Sequence, residues 1–378
     1  MNLYPWQKEA LEKENDKALW CAEAGTGKTH AANLWIEQKD RATNPVILCP
    51  KQIKQKWQSM KPQATVFTPY DARTKELPAN PSCIVVDEAD AFASPLFFPA
   101  KQRSQCAAAL YQYIKENPDT PVLLLTATPI RSKAWNLHTL LTYIGRYIDW
   151  KEFRQEHFLL DTPRWSTRPT WMPKFGWQAK MQPLLEEHAE IALMKDMTEL
   201  PPETHEVIKL KEPNYEKHSE EWEAAKIFSE DHQLEQHKKH LEIEKISRGY
   251  RKAVIVCQYR TQIDELSKEL SKSRQTLVLD GRTKDVQQVI DDAEASAECY
   301  LIVQASVGAG FELPSFAVMI FASQSYGVRN FVQMKARIKR INALKPLKYY
   351  YLQAGRCDKA VYKTVESGRD FVPSEYRA

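Results

Sequence analysis

The chain has 378 residues, 43% of them hydrophobic and 27% charged, with a mean hydropathy of −0.54. That is apolar material for two domain cores, and no stretch approaches the ~18–20 uninterrupted apolar residues of a membrane-spanning helix. Lys and Arg number 53 against 49 Asp and Glu, a net +4; so mild a basic balance is compatible with a polyanionic partner but does not demonstrate one, because such a footprint is a local patch.

The opening residues, Met1-Asn2-Leu3-Tyr4-Pro5-Trp6-Gln7, lack the basic-then-apolar order of a secretory leader. The seven cysteines are scattered, with no C-x-x-C spacing, and several sit beside apolar runs. They read as reduced core residues, and a cytoplasmic location is expected.

Along the chain, the strand-like Ala18-Leu19-Trp20-Cys21 leads into Ala22-Glu23-Ala24-Gly25-Thr26-Gly27-Lys28-Thr29, and a helical pattern follows from His30 to Gln38. This is a phosphate-binding loop with alanine in place of its first glycine. Glycine is scarce here, 11 in all, and two stand in this turn. Gly25, Thr26 and Gly27 let backbone N–H groups face phosphates at a helix N-terminus, Lys28 reaches the terminal phosphates, and Thr29 offers a hydroxyl to Mg²⁺.

Further strands are expected at Pro45–Cys49, Cys83–Val86 and Pro121–Leu125, since short apolar runs without polar alternation suit strands buried on both faces. The second runs into Asp87-Glu88-Ala89-Asp90. At the edge of a parallel sheet Asp87 would hold Mg²⁺ through water and Glu88 would orient the attacking water; the bland alternative is an acidic helix cap. Magnesium-dependent ATP hydrolysis is the inference.

From about Trp150 to Arg251 the character changes. Trp150, Trp165, Trp171 and Trp177 fall among prolines and basic residues, and this piece is expected to be irregular: either a packed linker or an added nucleic-acid contact that probes a fork. A helix is expected over Leu184–Met197. Glu216–Ile246 reads as a solvated, charged helix or helical pair bridging two lobes. His237 and His240 lie one helical turn apart, without the carboxylate or cysteine partner a metal site needs.

The strand rhythm returns at Ala253–Cys257, Gln275–Leu279, Tyr300–Val303 and Ala317–Phe321. Near the end, Gln333-Met334-Lys335-Ala336-Arg337-Ile338-Lys339-Arg340 places two arginines three apart on one helix face. They read either as a solvated basic helix or as arginine fingers from a second lobe.

Taken in order, these segments resemble superfamily-two helicase-type motors, most closely the Swi/Snf-like ATPases. Tyr4-Pro5-Trp6-Gln7-Lys8 is similar to that family's glutamine motif, which implies that Gln7 reads adenine. Cys49-Pro50-Lys51-Gln52 and Phe67-Thr68-Pro69-Tyr70 resemble motifs that meet DNA. Leu124-Leu125-Thr126-Ala127-Thr128-Pro129-Ile130 resembles the one relaying nucleotide state to DNA. In the second lobe, Leu279-Asp280-Gly281-Arg282-Thr283, Val307-Gly308-Ala309-Gly310-Phe311-Glu312-Leu313 and Gln333–Arg340 are similar to later motifs of the same set. The resemblance runs from residue 4 to about residue 365.

Within the family, Ala192–Thr204 resembles the segment joining the lobes of Swi/Snf-like motors, and the Trp-rich run before it, with Trp177 and Leu184-Leu185-Glu186-Glu187, is similar to the annealing-helicase (HARP-type) branch. Departures stand at Asp90, Ala127, Glu312 and Ile341-Asn342-Ala343; the DEAD run alone would suggest an RNA helicase of that box, but the other motifs differ.

The resemblance implies an α/β chain of two RecA-like, doubly wound parallel-sheet lobes, at 1–150 and 251–378, joined by a partly helical linker or insertion at 151–250. It implies ATP and Mg²⁺ as cofactors, bound by Gln7, Gly25, Thr26, Gly27, Lys28, Thr29, Gly310, Arg337 and Arg340. The catalytic group is then Lys28, Asp87, Glu88, Arg337 and Arg340, with Mg²⁺ on Thr29 and Asp87. Pro50, Lys51, Thr68, Arg131, Tyr259, Arg260 and Ser306 are the implied DNA contacts.

The implied activity is DNA-stimulated ATP hydrolysis at the interface of the lobes, moving a monomer along duplex or forked DNA without reading sequence. Replication, recombination or repair in a bacterial or phage-infected cytoplasm is the expected setting, with other replication proteins as companions and no reader module. Two rivals stay open: a strand-separating helicase, and a slow ATP-switched DNA clamp that does not travel.

Overall fold

The computed structural model describes residues 3–96, 104–130, 134–161, 170–194, 197, 200–215, 224–236, 239–307, 311–339, 345–373 and 376. The chain divides into two compact units, Met1–Thr198 and Glu199–Ala378.

The first unit contains α1 (Pro5–Glu12), β1 (Lys17–Ala22), α2 (Lys28–Glu37), β2 (Pro45–Leu48), α3 (Lys51–Met60), β3 (Thr65–Phe67), α4 (Pro69–Thr74) and β4 (Cys83–Asp87). It continues with α5 (Gln105–Glu116), β5 (Val122–Thr126), α6 (Trp135–Tyr143), α7 (Trp150–His157), β6 (Phe158–Asp161), β7 (Thr170–Pro173), α8 (Trp177–His188) and β8 (Glu190–Ala192). Six strands form one sheet in the order β3-β2-β4-β5-β1-β8, every pair parallel.

The apolar runs explain the layering. Val46, Leu48, Ile84, Val86, Val122 and Leu124 pack on one face with Ala107 and Leu110 of α5 and Leu137 and Leu140 of α6. The alternate residues Ile47, Val85, Leu123 and Leu125 pack on the other with Leu11 of α1, Trp35 and Ile36 of α2 and Trp57 of α3. A strand covered on both faces has no polar period, which is why these segments read as unbroken apolar runs. Each such side chain contributes about 1.5–3 kcal/mol by leaving water.

The second unit contains β9 (Glu203–Lys209), α9 (Ala224–Gln236), α10 (His240–Arg248), β10 (Lys252–Cys257), α11 (Arg260–Leu270) and β11 (Thr276–Leu279). After these come α12 (Val286–Ala295), β12 (Cys299–Gln304), β13 (Val318–Phe321), α13 (Val328–Lys335), β14 (Leu347–Gln353) and α14 (Arg356–Glu366). Its sheet runs β11-β12-β10-β13-β14-β9, again all parallel. The expected α/β class with two parallel-sheet lobes is therefore what the chain forms.

Several expectations are corrected. Residues 151–250 contribute strands to both sheets, β8 to the first and β9 to the second. The Trp-rich stretch is not irregular throughout: β6 and β7 pair antiparallel. The helix expected over Leu184–Met197 begins at Trp177 and ends at His188, and β8 follows it. The charged stretch is not a solvated bridge, because Asp231, His232, Glu235 and Lys239 are buried inside the second unit. All seven cysteines are buried and unpaired, as expected. Among the described residues, no helix is long and apolar enough to cross a membrane.

Candidate nucleotide and nucleic-acid sites

In a parallel sheet all strands end on the same edge, and the first unit gathers its polar motifs there. Pairing sets Cys21 beside Thr126 and Asp87 beside Leu125. The loop after β1, the acidic run after β4 and the Thr126–Thr128 turn after β5 thus leave the sheet at one level.

Gly25 and Gly27 both take left-handed backbone conformations, φ 91° and 80°. Gly27 caps α2, and a Cβ there would come within 2.5 Å of Gln7 Nε2. Conformation and close approach together require glycine at this position. Lys28 opens the helix, and its buried ammonium donates to the Ala22 carbonyl and, at 3.0 Å, to the Glu23 carbonyl. The Thr26 hydroxyl donates to the same Glu23 carbonyl at 2.7 Å. Thr29 is half-buried one residue further on.

Gln7 is 2% exposed and braces this loop from α1. Its Nε2 donates to the Gly27 carbonyl at 3.1 Å and the Thr26 carbonyl at 3.4 Å, while Oε1 accepts from the Tyr4 N–H at 2.9 Å. The Trp6 indole adds a bond to the Thr26 carbonyl at 3.2 Å. The amide expected to read a base holds the loop's backbone in this arrangement.

Asp87 ends β4 and is buried. The Trp57 indole donates to its Oδ2 at 2.9 Å and the Glu88 N–H to its Oδ1 at 3.0 Å. Burial, and after it the charge of Glu88, pushes the carboxyl up to about 6, against the opposing pull of Trp57 and Lys28. Glu88 itself sits in a left-handed conformation, φ 53°. For a residue with a side chain that is a strained setting, worth about 1–3 kcal/mol, of the kind found where a site fixes geometry. Asp90 is not a bystander. It accepts from the hydroxyls of Thr126 at 3.2 Å and Thr128 at 3.3 Å, tying the acidic run to the turn after β5.

The residues expected to meet DNA fall in varied settings. Pro50 caps α3 and the exposed Lys51 opens it. Thr68 is buried, and its hydroxyl and backbone N–H bind the Asp71 carboxylate in a capping box that starts α4. Arg260 is exposed at the start of α11, and Ser306 is exposed in the short turn after β12. The Tyr259 hydroxyl meets His232 Nδ1 at 2.8 Å. Arg131, Gly310 and Arg340 lie outside the described residues.

Arg337 does not stand on a helix face, because α13 stops at Lys335. It is 6% exposed, and its guanidinium donates to the carbonyls of Gln333 at 2.8 Å and Phe311 at 2.6 Å. The side chain thus pins the segment at 311 against the end of α13.

A buried ionic cluster escaped the sequence reading. Asp358 Oδ1 accepts from Lys239 Nζ at 2.7 Å and lies 3.1 Å from His232 Nε2, and Oδ2 accepts from the Ala354 N–H at 2.9 Å. Burial acts to raise the Asp358 carboxyl, but Lys239 and His232 outweigh it and hold it below the usual carboxylate range. Glu235 accepts from the Cys357 and Asp358 N–H groups and from the Tyr215 hydroxyl.

His232, Glu235 and Asp358 have the residue types of a metal site, yet the Lys239 ammonium already supplies the cation and backbone groups occupy the oxygens. The cluster ties α9, α14 and the chain after β13 together. Its one sequence signal is Gly355, where a Cβ would collide with the Tyr215 hydroxyl and Glu235.

Comparison with known proteins adds a family match for one segment. Residues 234–342 match the family "Helicase conserved C-terminal domain". No curated protein matches the chain. Among solved structures, the Sulfolobus solfataricus SWI2/SNF2 ATPase core in complex with dsDNA is similar at 14% identity, with a TM-score of 0.42, covering 99% of this chain and 94% of that one. The second unit from Leu234 to Asn342 therefore carries the signature of a helicase C-terminal domain.

Proposed function

We propose that the chain is a motor of the helicase type, which hydrolyses ATP with Mg²⁺ and moves along or remodels DNA by its backbone. One observation carries the reading. A phosphate-binding loop with Lys28 at a helix start shares the edge of one parallel sheet with the Asp87–Glu88 pair, in a chain whose second unit matches a helicase C-terminal domain.

The residues present fit a magnesium nucleotide. Left-handed Gly25 and Gly27 turn the backbone into the N-terminus of α2, and the donor set combines an ammonium, a hydroxyl and a buried carboxylate. Lys28 would bind terminal phosphate oxygens in place of the Ala22 and Glu23 carbonyls it now serves. Thr29 and Asp87 would hold Mg²⁺, which supplies neutralisation of the developing phosphate charge. Glu88 orients the attacking water. Asp90 links that pair to Thr126 and Thr128, so a change beside the phosphates reaches the turn after β5. Arg340 is assigned the guanidinium that meets developing phosphate charge, whereas the buried Arg337 is held by the carbonyls of Gln333 and Phe311.

The finer expectations belong to this reading. They are the annealing-helicase branch, a role in replication, recombination or repair, a monomer in the cytoplasm, and DNA contacts from Pro50, Lys51, Arg131, Arg260 and Ser306. The polar groups of Thr68, backbone included, and the Tyr259 hydroxyl are engaged within the protein.

Displacement of a third strand from duplex DNA tests travel directly. The wild type should release it with ATP, and Lys28→Ala should not. Release that is equal in the two proteins would reject the motor.

A further inference from the structure

Between α7 and α8 the chain joins neither main sheet. It makes the separate antiparallel ribbon β6–β7, with Leu159 opposite Met172 and Leu160 opposite Trp171. The foot of this ribbon is set in the core of the first unit. Phe158 is buried and stacks on Trp135 at 5.7 Å. The Arg154 guanidinium lies 4.4 Å over Trp171. Lys174 binds the His157 carbonyl through its N–H at 2.9 Å and the Gln155 carbonyl through Nζ at 2.7 Å. Trp177 and Met181 of α8 continue the same core.

Beside these anchored residues the polarity inverts. Leu159 is 41% exposed, Leu160 55%, and Phe175, in the turn before α8, is fully exposed at 102%. An anchored ribbon that offers large apolar side chains to water adds nothing to its own stability by doing so. The charge is one-sided as well. From Phe158 to Lys180 the sequence has four basic residues, Arg164, Arg168, Lys174 and Lys180, against one acidic residue, Asp161. Cations suit a phosphate backbone, and exposed rings suit base faces. Those faces are hidden in a stacked duplex and open where strands part.

We propose that the β6–β7 ribbon and the Phe175 turn form a second nucleic-acid contact, which stacks on unpaired bases where a duplex opens. The proposal rests on the motor reading above and assigns the ribbon the recognition of a fork. Because Phe175 and Leu160 are exposed, their truncation leaves the core intact.

The test compares binding of a forked DNA, with 2-aminopurine in the unpaired arm beside the junction, and a blunt duplex of the same length. The wild type should bind the fork more tightly and quench the probe by stacking. Phe175→Ala combined with Leu160→Ala should weaken fork binding by about tenfold, abolish the quench and leave duplex binding unchanged. Phe175→Trp, which keeps a ring, should behave as the wild type. Loss of fork and duplex binding together, or no change in either, overturns the ribbon contact. Stimulation of phosphate release by the blunt duplex, measured on the same proteins, reports separately on the motor reading.

Discussion

Asp87→Asn should change how stability depends on pH, by an amount the site itself sets. Burial and the neighbouring Glu88 hold the Asp87 carboxyl near 6, against an ordinary value of 3.8. The folded chain therefore keeps its proton to higher pH than the unfolded chain does. The wild type loses stability as pH rises through the window from 3.8 to 6 and levels off above it. The full effect is about 3 kcal/mol, of which about 1.4 kcal/mol falls between pH ~5 and ~7.5. Asparagine carries no charge and lacks this dependence.

It also offers one acceptor oxygen where Asp87 serves two donors, the Trp57 indole and the Glu88 N–H. The lost bond costs about 1 kcal/mol, and that cost does not vary with pH. The difference between the two proteins should thus move by about 1.4 kcal/mol in favour of asparagine over that interval, whatever its value at pH 5. Urea unfolding in EDTA, without nucleotide, followed by tryptophan fluorescence is the assay. Of the 10 tryptophans only Trp222 lies beyond residue 198, so the signal reports the first unit. Parallel pH profiles for wild type and variant would refute the argument.

The other predictions concern the reaction and the second unit. Glu88→Gln should retain ATP and tighten DNA binding in a slow complex; rapid turnover in that variant rejects Glu88 as the water-orienting residue. Arg340→Ala should reduce turnover by about 10³ with nucleotide affinity nearly kept, and a change confined to KM counts against a finger. Lys239→Met leaves the buried Asp358 carboxylate without its ammonium and should destabilise the second unit by about 3–5 kcal/mol at neutral pH. Its unfolding followed by circular dichroism checks this, and an unchanged midpoint contradicts it.

What could be read from the sequence follows from where its information lies. Val46–Leu48, Cys83–Val86, Val122–Leu125, Ala253–Cys257 and Val318–Phe321 announce themselves because strands buried on both faces leave no polar period. The loop around Gly25 and Gly27 does so because its chemistry is local. β8 and β9 do not. They are edge strands, β8 is three residues long, and β9 is largely exposed. Their existence depends on pairing with β1 and with β14, from Leu347 to Gln353.

Asp231, His232, Glu235 and Lys239 looked like a solvated face because the partners that draw them inward, Asp358, Arg356 and the Ala322 carbonyl, lie about a hundred residues away. Arg337 misled for the opposite reason. Its spacing from Arg340 suits a helix, but α13 ends at Lys335 and the guanidinium turns in to two carbonyls. For Gln7 the resemblance implies contact with a base. Its immediate partners are the backbone of Thr26 and Gly27 and the N–H of Tyr4.

Steady-state phosphate release, measured without polymer and with duplex DNA, single-stranded DNA, forked DNA and RNA side by side, tests the central claim most directly. Acceleration by DNA that vanishes in Lys28→Ala is the predicted result. A rate indifferent to every polymer would contradict it.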